Sequence, residues 1–319
     1  MKKLFFIGLA VTAMCASCSS DDTVEVAKNS KAISFSSFVD KSVRATDTNL
    51  ANLGSISVYG WRGDELLFDA QTVTIAADGS GSYSPVVYWE GGKTYAFEAI
   101  APHSGENGVA FAAAKTGGKI TFENDAETDL MYSKAADYTT GANINTAPDA
   151  VKFTFKHLLS RVKFTFKNGF NANDAAKITV KEVKITNAFK NASITPNAEN
   201  ATWETVDGSN NLSVNFGKTE DDIIAQESGA TTQMYLIPVA QPSYSVTFTV
   251  ELNQNGVKSD YTHTATITTG MEIGKSYNFT ATLDSSNIND DDDLYPINFK
   301  AEVEDWVDYA GTNITTTVQ

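Results

Sequence analysis

Apolar and polar residues alternate with a period of two along almost the whole chain, and threonine, valine, phenylalanine and tyrosine recur at these positions. This period is typical of strands with one buried face, and the same residue types favour strands. Turn-forming pairs such as Asp78-Gly79 and Asn255-Gly256 separate the alternating segments. The clearest predicted strands cover residues 56–58, 86–89, 95–99, 151–155, 162–166, 183–185, 246–252, 277–283 and 297–303. We therefore predict an all-β protein built from antiparallel β-sandwiches.

The alternation changes phase between residues 151 and 166. The apolar side chains occupy odd positions up to Phe155, pass through Leu158 and Leu159, and occupy even positions from Val162 onward. A strand that turns its buried face over either contains a bulge or leaves one core and joins another. The second explanation predicts two sandwich domains, residues 32–159 and 160–319, which is an ordinary size for domains. A bulged strand inside one domain is the alternative.

The first residues have the layout of an export signal. A basic start, residues 1–3, is followed by an apolar run that is too short to span a bilayer permanently, and small residues precede Cys18. The small residues before this cysteine resemble the lipobox of bacterial lipoproteins, in which the cysteine is acylated, for example with palmitate. We predict a lipoprotein signal peptide at residues 1–17 and a flexible tether at residues 18–31, which carry few apolar groups. A plain secreted protein is the alternative.

Composition restricts the chemistry. Aspartate and glutamate number 39 against 24 lysines and arginines, so the formal charge is −15 and a nucleic-acid partner is disfavoured. The chain has only three histidines and two cysteines, which leaves little for zinc binding or for histidine and thiol catalysis. We expect neither an enzyme nor a cofactor. The acidic run of residues 290–293 could bind calcium, but a solvated linker is the preferred interpretation.

Short segments along the chain occur in a characteristic order. They are Ile33-Ser34-Phe35, Val43-Arg44-Ala45-Thr46, Leu53-Gly54-Ser55-Ile56, Val87-Tyr88-Trp89, Phe155-Lys156-His157-Leu158-Leu159, Leu236-Ile237-Pro238, Gly274-Lys275-Ser276-Tyr277 and Val303-Glu304-Asp305-Trp306. In this order they resemble the fimbrillin family of Bacteroides, the lipoprotein precursors of type V pili. The resemblance implies two transthyretin-like β-sandwiches in tandem and a structural function in adhesion. It also implies polymerisation by strand exchange, after an arginine-specific protease removes the first strand.

The chain has the residues that such a mechanism needs. Arginine occurs only at positions 44, 62 and 161, and Arg44 lies in a polar stretch, where proteases commonly cut. Cleavage between Arg44 and Ala45 would detach a first strand whose groove-filling residues are Ile33, Phe35 and Phe38. The predicted donor strand is residues 297–306, with Ile297, Phe299, Ala301 and Val303 on one face, followed by Trp306.

The resemblance implies partners and a location, and alternatives remain open. The expected partners are other fimbrial subunits, the outer membrane through the lipid on Cys18, and a host or glycan ligand. The expected location is the cell surface, first lipid-anchored and then in the fimbrium. Arg44 could instead be an ordinary loop residue, and the last strand could simply complete its own sheet. A monomeric surface module that binds glycans, for example on an exposed Trp61, is the alternative function.

Overall fold

A computed structural model describes residues 30–38, 53–289 and 296–306. These residues form β-strands and two short 3-10 turns, Ile144–Thr146 and Ala172–Asp174, so the all-β prediction is confirmed. None of their helical segments is long and apolar enough to cross a membrane. The strands are β1 (Phe35–Phe38), β2 (Ser55–Arg62), β3 (Glu65–Ile75), β4 (Ser80–Ser82), β5 (Thr94–Ala101), β6 (Val109–Ala112), β7 (Lys119–Glu123), β8 (Met131–Lys134), β9 (Tyr138–Thr139), β10 (Val151–Thr154), β11 (Lys156–His157), β12 (Ser160–Asn168), β13 (Ala176–Ala188), β14 (Asn191–Ile194), β15 (Glu204–Thr205), β16 (Leu212–Asn215), β17 (Ile223–Ile224), β18 (Ser228–Ala230), β19 (Met234–Leu236), β20 (Tyr244–Gln254), β21 (Val257–Ile267), β22 (Lys275–Leu283) and β23 (Lys300–Asp305).

The first half of the chain forms one nine-stranded sheet, which we call the N-terminal sheet. Its strand order is β10-β1-β4-β3-β2-β5-β8-β11, with β9 also paired to β5. The strands at the two ends of this order, β10 and β11, are separated in the chain only by Phe155. The sheet therefore bends back on itself and encloses a hydrophobic core that includes Phe35, Phe97 and Phe153. We call this the N-terminal core.

The second half forms two five-stranded sheets with the C-terminal core between them. One has the order β18-β12-β22-β23, with β19 beside β12, and the other has the order β16-β13-β20-β21, with β17 beside β13. Their inward residues, such as Phe164, Phe248 and Phe279, form this core. The β20–β21 hairpin turns at Asn255-Gly256, where both residues have positive φ, 53° and 85°. That conformation is typical of a two-residue hairpin and suits this pair of residues.

A smaller sheet, which we call the bridging sheet, takes strands from both halves of the chain. Its order is β15-β14-β7-β6. Its apolar residues pack with Ile100 of β5, Leu158 and Leu159 in a third cluster, the junction core. Strands β2 and β5 are consequently buried on both faces. Because this sheet joins the two halves, their division into independent tandem domains at residue 159 stays a prediction.

The phase change in the sequence coincides with a passage between cores. Phe155 belongs to the N-terminal core, Leu158 and Leu159 belong to the junction core, and Val162 belongs to the C-terminal core. The buried face changes because each segment packs against a different set of strands.

The structure differs from the predicted strands in three places. Residues 86–89 form only an isolated bridge, between Ala32 and Tyr88. The last strand begins at Lys300, so Ile297 and Phe299 precede it. Two strand pairs, β1–β10 and β12–β22, are parallel, whereas the other pairs among the described residues are antiparallel. Period-two alternation cannot distinguish the two directions, because side chains alternate in both.

Candidate functional site

The first strand lies inside the N-terminal sheet and not at its edge. β1 is parallel to β10, with Phe35 opposite Val151, and antiparallel to β4, with Phe35 opposite Gly81. The Ser37 amide donates to the Gly79 carbonyl oxygen over 2.8 Å. The strand is thus hydrogen-bonded on both sides, so its removal would leave two unpaired strand edges.

The residues just before β1 continue this pairing. The Ile33 amide donates to the Val87 carbonyl over 2.8 Å, and the Trp89 amide donates to the Lys31 carbonyl over 2.9 Å. The Tyr83 hydroxyl donates to the Ile33 carbonyl over 2.7 Å. Residues 86–89, predicted as a strand, therefore serve mainly to hold the first segment of the chain.

The side chains of the first segment fill the N-terminal core at alternate positions. Ile33, Phe35 and Ser37 are 1%, 2% and 0% exposed. Burying an isoleucine and a phenylalanine contributes about 3–6 kcal/mol together. The Phe35 ring has four aromatic neighbours, Phe68 at 5.4 Å, Tyr83 at 5.3 Å, Phe97 at 5.9 Å and Phe153 at 5.8 Å between centroids. We call this binding place, formed by β4, β10, Val87 and these four rings, the first-strand groove.

The sequence pattern did not reveal one inward-facing residue of the first segment. Ile33 and Phe35 are buried at this place, and their part in strand exchange stays a prediction. The third inward position belongs to Ser37, a small polar residue that hydrophobic alternation does not reveal. Phe38, the third predicted residue, ends β1 opposite Thr154.

The last strand has a less enclosed position than the first. β23 pairs with β22 alone and is the edge of its sheet among the described residues. Val303 is 51% exposed, so it does not belong to the buried face that the sequence predicted. Ile297, Phe299 and Ala301 are half-buried against the C-terminal core. The Phe299 ring lies 5.2 Å from Phe164, 5.8 Å from Phe166 and 6.0 Å from Phe248.

Trp306 holds the end of this strand at the junction of the two halves. It is 4% exposed. Its ring stacks on His157 with centroids 3.7 Å apart, and it lies parallel to Tyr235 at 5.4 Å. The guanidinium carbon of Arg161 lies 5.1 Å from the ring centroid, within the range of a cation–π contact. The Trp306 amide donates to the Gly274 carbonyl over 2.8 Å.

The junction core also contains buried ionisable groups. His157 Nδ1 lies 2.9 Å from Asp129 Oδ1, and both side chains are buried, so His157 is a hydrogen-bonded structural residue. The Glu98 carboxyl is buried, and neither oxygen has a hydrogen-bond partner among the described residues. Burial raises the pKa of Glu98, and the Tyr132 hydroxyl and the Lys134 ammonium lower it by less. Burial likewise raises the pKa of Tyr132.

The structure bears on only some of the remaining sequence-predicted residues. Cys18, Arg44, Ala45 and the acidic run of residues 290–293 fall outside the described residues. Trp61 is buried in the junction core, so it does not form an exposed sugar platform. In the parts of the chain that the structure describes, no three His, Cys, Asp or Glu side chains are grouped as a metal site.

The chain was compared with protein-family models, curated proteins and solved structures. A model described as fimbrillin-like matches residues 43–306. A fimbrial protein from Bacteroides vulgatus has a similar fold, with a TM-score of 0.63 and 17% identity over 86% of this chain and 99% of its own. A candidate cell adhesion protein from Bacteroides uniformis has a TM-score of 0.52 and 18% identity over 86% of this chain and 99% of its own. A candidate cell adhesion protein from Bacteroides ovatus has a TM-score of 0.53 and 15% identity over 87% of this chain and 98% of its own. None of the curated proteins matches the chain in sequence.

Proposed function

The chain belongs to the fimbrillin-like family, and we propose that it is a structural subunit of a cell-surface fimbria that serves adhesion. In this proposal the subunit is made as a lipid-anchored precursor and is cut after Arg44. It then polymerises when a strand of a neighbouring subunit replaces β1. The observation that carries the proposal is the position of β1, which lies between two strands with Ile33 and Phe35 buried.

Cleavage after Arg44 would separate β1 from the rest of the chain. β1 ends at Phe38 and β2 begins at Ser55, so a cut at this arginine falls between them. Loss of β1 would leave unpaired edges on β4 and β10 and an apolar trough lined by aromatic rings. Such edges pair readily with an added strand, which regains both the main-chain hydrogen bonds and the buried side chains.

The C-terminal segment is the proposed donor. β23 has one neighbouring strand, and its apolar side chains are only half-buried. Its release would break a single row of main-chain hydrogen bonds. In the first-strand groove the same segment would gain two rows, because β4 and β10 lie on either side.

Cys18 is the proposed lipid attachment residue, which would hold the precursor at the outer membrane before cleavage. Labelling with radioactive palmitate in a bacterial host that processes lipoproteins tests this. The wild-type chain and C15S should be labelled, whereas C18S should not. A C18S chain that is still labelled would contradict the assignment.

An arginine-specific protease tests the maturation step. We expect a chain beginning at Ser19 to be cut at Arg44 and then to form a concentration-dependent ladder of oligomers. R44A should remain monomeric under the same treatment, and K41A, which alters a neighbouring basic residue, should behave as wild type. An excess of a synthetic peptide covering residues 296–306 should stop growth of the ladder.

Two outcomes would contradict the proposal. One is a ladder in R44A equal to that of the wild type. The other is a wild-type chain that is cut at Arg44 and stays monomeric. The second outcome would favour the alternative, a monomeric surface module with the same fold.

A further inference from the structure

The residues that fill the first-strand groove are repeated near the end of the chain. Residues 33–37 read Ile-Ser-Phe-Ser-Ser, and residues 297–301 read Ile-Asn-Phe-Lys-Ala. Both segments place an isoleucine, a phenylalanine and a small residue at every second position, separated by polar residues. Since side chains of an extended segment alternate between faces, each triplet lies on one face.

The groove suits this triplet at each of its three positions. Ile33, Phe35 and Ser37 are buried, whereas Ser34 is exposed and Ser36 is half-buried. In the repeated segment, asparagine and lysine occupy the two outward positions. A lysine at the position of Ser36 can extend its stem along the surface and keep its ammonium group in water.

The third position favours a small apolar residue over the serine that occupies it. Ser37 is fully buried, and its hydroxyl has no hydrogen-bond partner among the described residues. A buried hydroxyl without a partner costs free energy, so an alanine of nearly equal volume fits this position better. The groove is closely packed at the second position, because a Cβ added to Gly81, which is opposite Phe35 on β4, would lie 2.7 Å from Val73 and 3.2 Å from the Cβ of Phe35.

The same triplet is held less completely where it lies in the single chain. Ile297, Phe299 and Ala301 are half-buried, and the strand that follows pairs on one side only. Both places present aromatic rings to the phenylalanine, four around Phe35 and three around Phe299. The groove therefore offers this segment similar side-chain neighbours together with pairing on both sides.

We infer that residues 297–301 of a second copy of this chain occupy the first-strand groove in one register, with Ile297, Phe299 and Ala301 at the positions of Ile33, Phe35 and Ser37. This inference rests on the proposed strand exchange and adds the partner and the register to it. The partner is then the same protein, because its own C-terminal segment carries the triplet that its groove accepts.

The register determines which residues meet across the new interface. Lys300 takes the position of Ser36, which is opposite Ser80 on β4 and Lys152 on β10. In the single chain Lys300 is instead opposite Thr280 on β22, in the C-terminal half. A contact between residues 300 and 80 thus reports exchange in this register.

Cysteine cross-linking tests the register directly. A chain beginning at Ser19 contains no cysteine, so introduced pairs can be followed without background. Cross-strand neighbours have Cα atoms about 4.5–5.5 Å apart, which suits a disulfide. We expect the S80C/K300C chain, cut after Arg44 and oxidised, to give a covalent ladder on a non-reducing gel. The matched S80C/E302C chain, two residues out of register, should give polymers that dissociate in detergent.

The outcomes separate the register from the exchange itself. Covalent ladders from S80C/E302C alone, or non-covalent polymers from both chains without cross-links, would overturn the register and leave strand exchange standing. A cut chain that never polymerises would overturn the proposed function, and the register with it.

A second variant tests the small third position without any cross-link. Ala301 is half-buried in the single chain, so A301L should leave the melting temperature of the uncut chain within a few degrees of wild type. At the fully buried position of Ser37 a leucine would be overpacked, so polymerisation should slow at least about tenfold. V257L changes an exposed residue of β21, outside the donor segment, and should polymerise at the wild-type rate. Equal rates for A301L and V257L would contradict the register.

Discussion

Replacement of Phe35 by alanine tests whether the first strand contributes to the core. Phe35 is 2% exposed and contacts four aromatic rings, so F35A removes a large buried side chain from a packed site. Substitutions of this kind cost about 3–5 kcal/mol. Because β10 loses the support of its neighbour, its amides should open more often, and their exchange rate should rise by about 150- to 4000-fold.

Hydrogen exchange followed by peptide mass spectrometry measures the exchange rate of the β10 amides in the uncut chain. Two variants serve as controls for F35A. S34A changes an exposed residue of the same segment, and its effect should stay within about 0.5 kcal/mol. F299A removes a half-buried ring that contacts β12 and β20, so it should cost less than F35A and should affect those strands rather than β10. If F35A leaves the exchange of β10 within about threefold of wild type, the first strand is peripheral, and its removal would open no groove.

Three further predictions concern the rest of the molecule. W306A should speed amide exchange in β23 at least about tenfold, because the loss of a buried tryptophan side chain costs about 3–5 kcal/mol at a packed site. Burial raises the pKa of Glu98 in the folded state, so as pH rises this carboxyl loses its proton in the unfolded state first. The free energy of unfolding should therefore fall as pH rises above 4.5, until the pH passes the raised pKa of the folded state. E98Q should remove this fall and be more stable than wild type at pH 7 but not at pH 4, as measured by urea unfolding. Hydrogen bonds from Lys181 and Lys258 lower the pKa of Glu251 to about 2, so E251Q should flatten the loss of stability as pH falls from 4.5 toward 2.

Alternation along the sequence predicts the strands well where one face is buried. Residues 162–166 and 246–252 each lie in a long strand with alternate residues buried, as the pattern indicates. The pattern says less about which strands are neighbours, since pairing depends on contacts between distant parts of the chain. The parallel pairing of β1 with β10 and the pairing within the bridging sheet both depend on such distant contacts. The short strands of the bridging sheet also contain too few residues to show a clear period.

The candidate site was predicted in part. Ile33 and Phe35 were recognisable because they are large, apolar and two residues apart. Ser37 was not, because its burial follows from its place between β4 and β10 and not from its chemistry. The repeated triplet at residues 297–301 was visible in the sequence, but only the burial of Ser37 shows that a small third residue matters. The start of the last strand was placed too early because Ile297 and Phe299 contact the core before the chain begins to pair with β22.

The parallel direction of β1 and β10 has a mechanical consequence. A donor segment that replaces β1 in the same direction would be joined to the donor subunit at the N-terminal end of the segment. In the accepting subunit, β10 continues from its C-terminal end through Phe155 toward the other half of the chain. Tension along a chain of such subunits would pull these two ends in opposite directions. Parallel strands loaded in this way are sheared lengthwise, so all the hydrogen bonds between them bear the force together and do not open one after another. A filament joined by this pairing would therefore be strongest along its own axis.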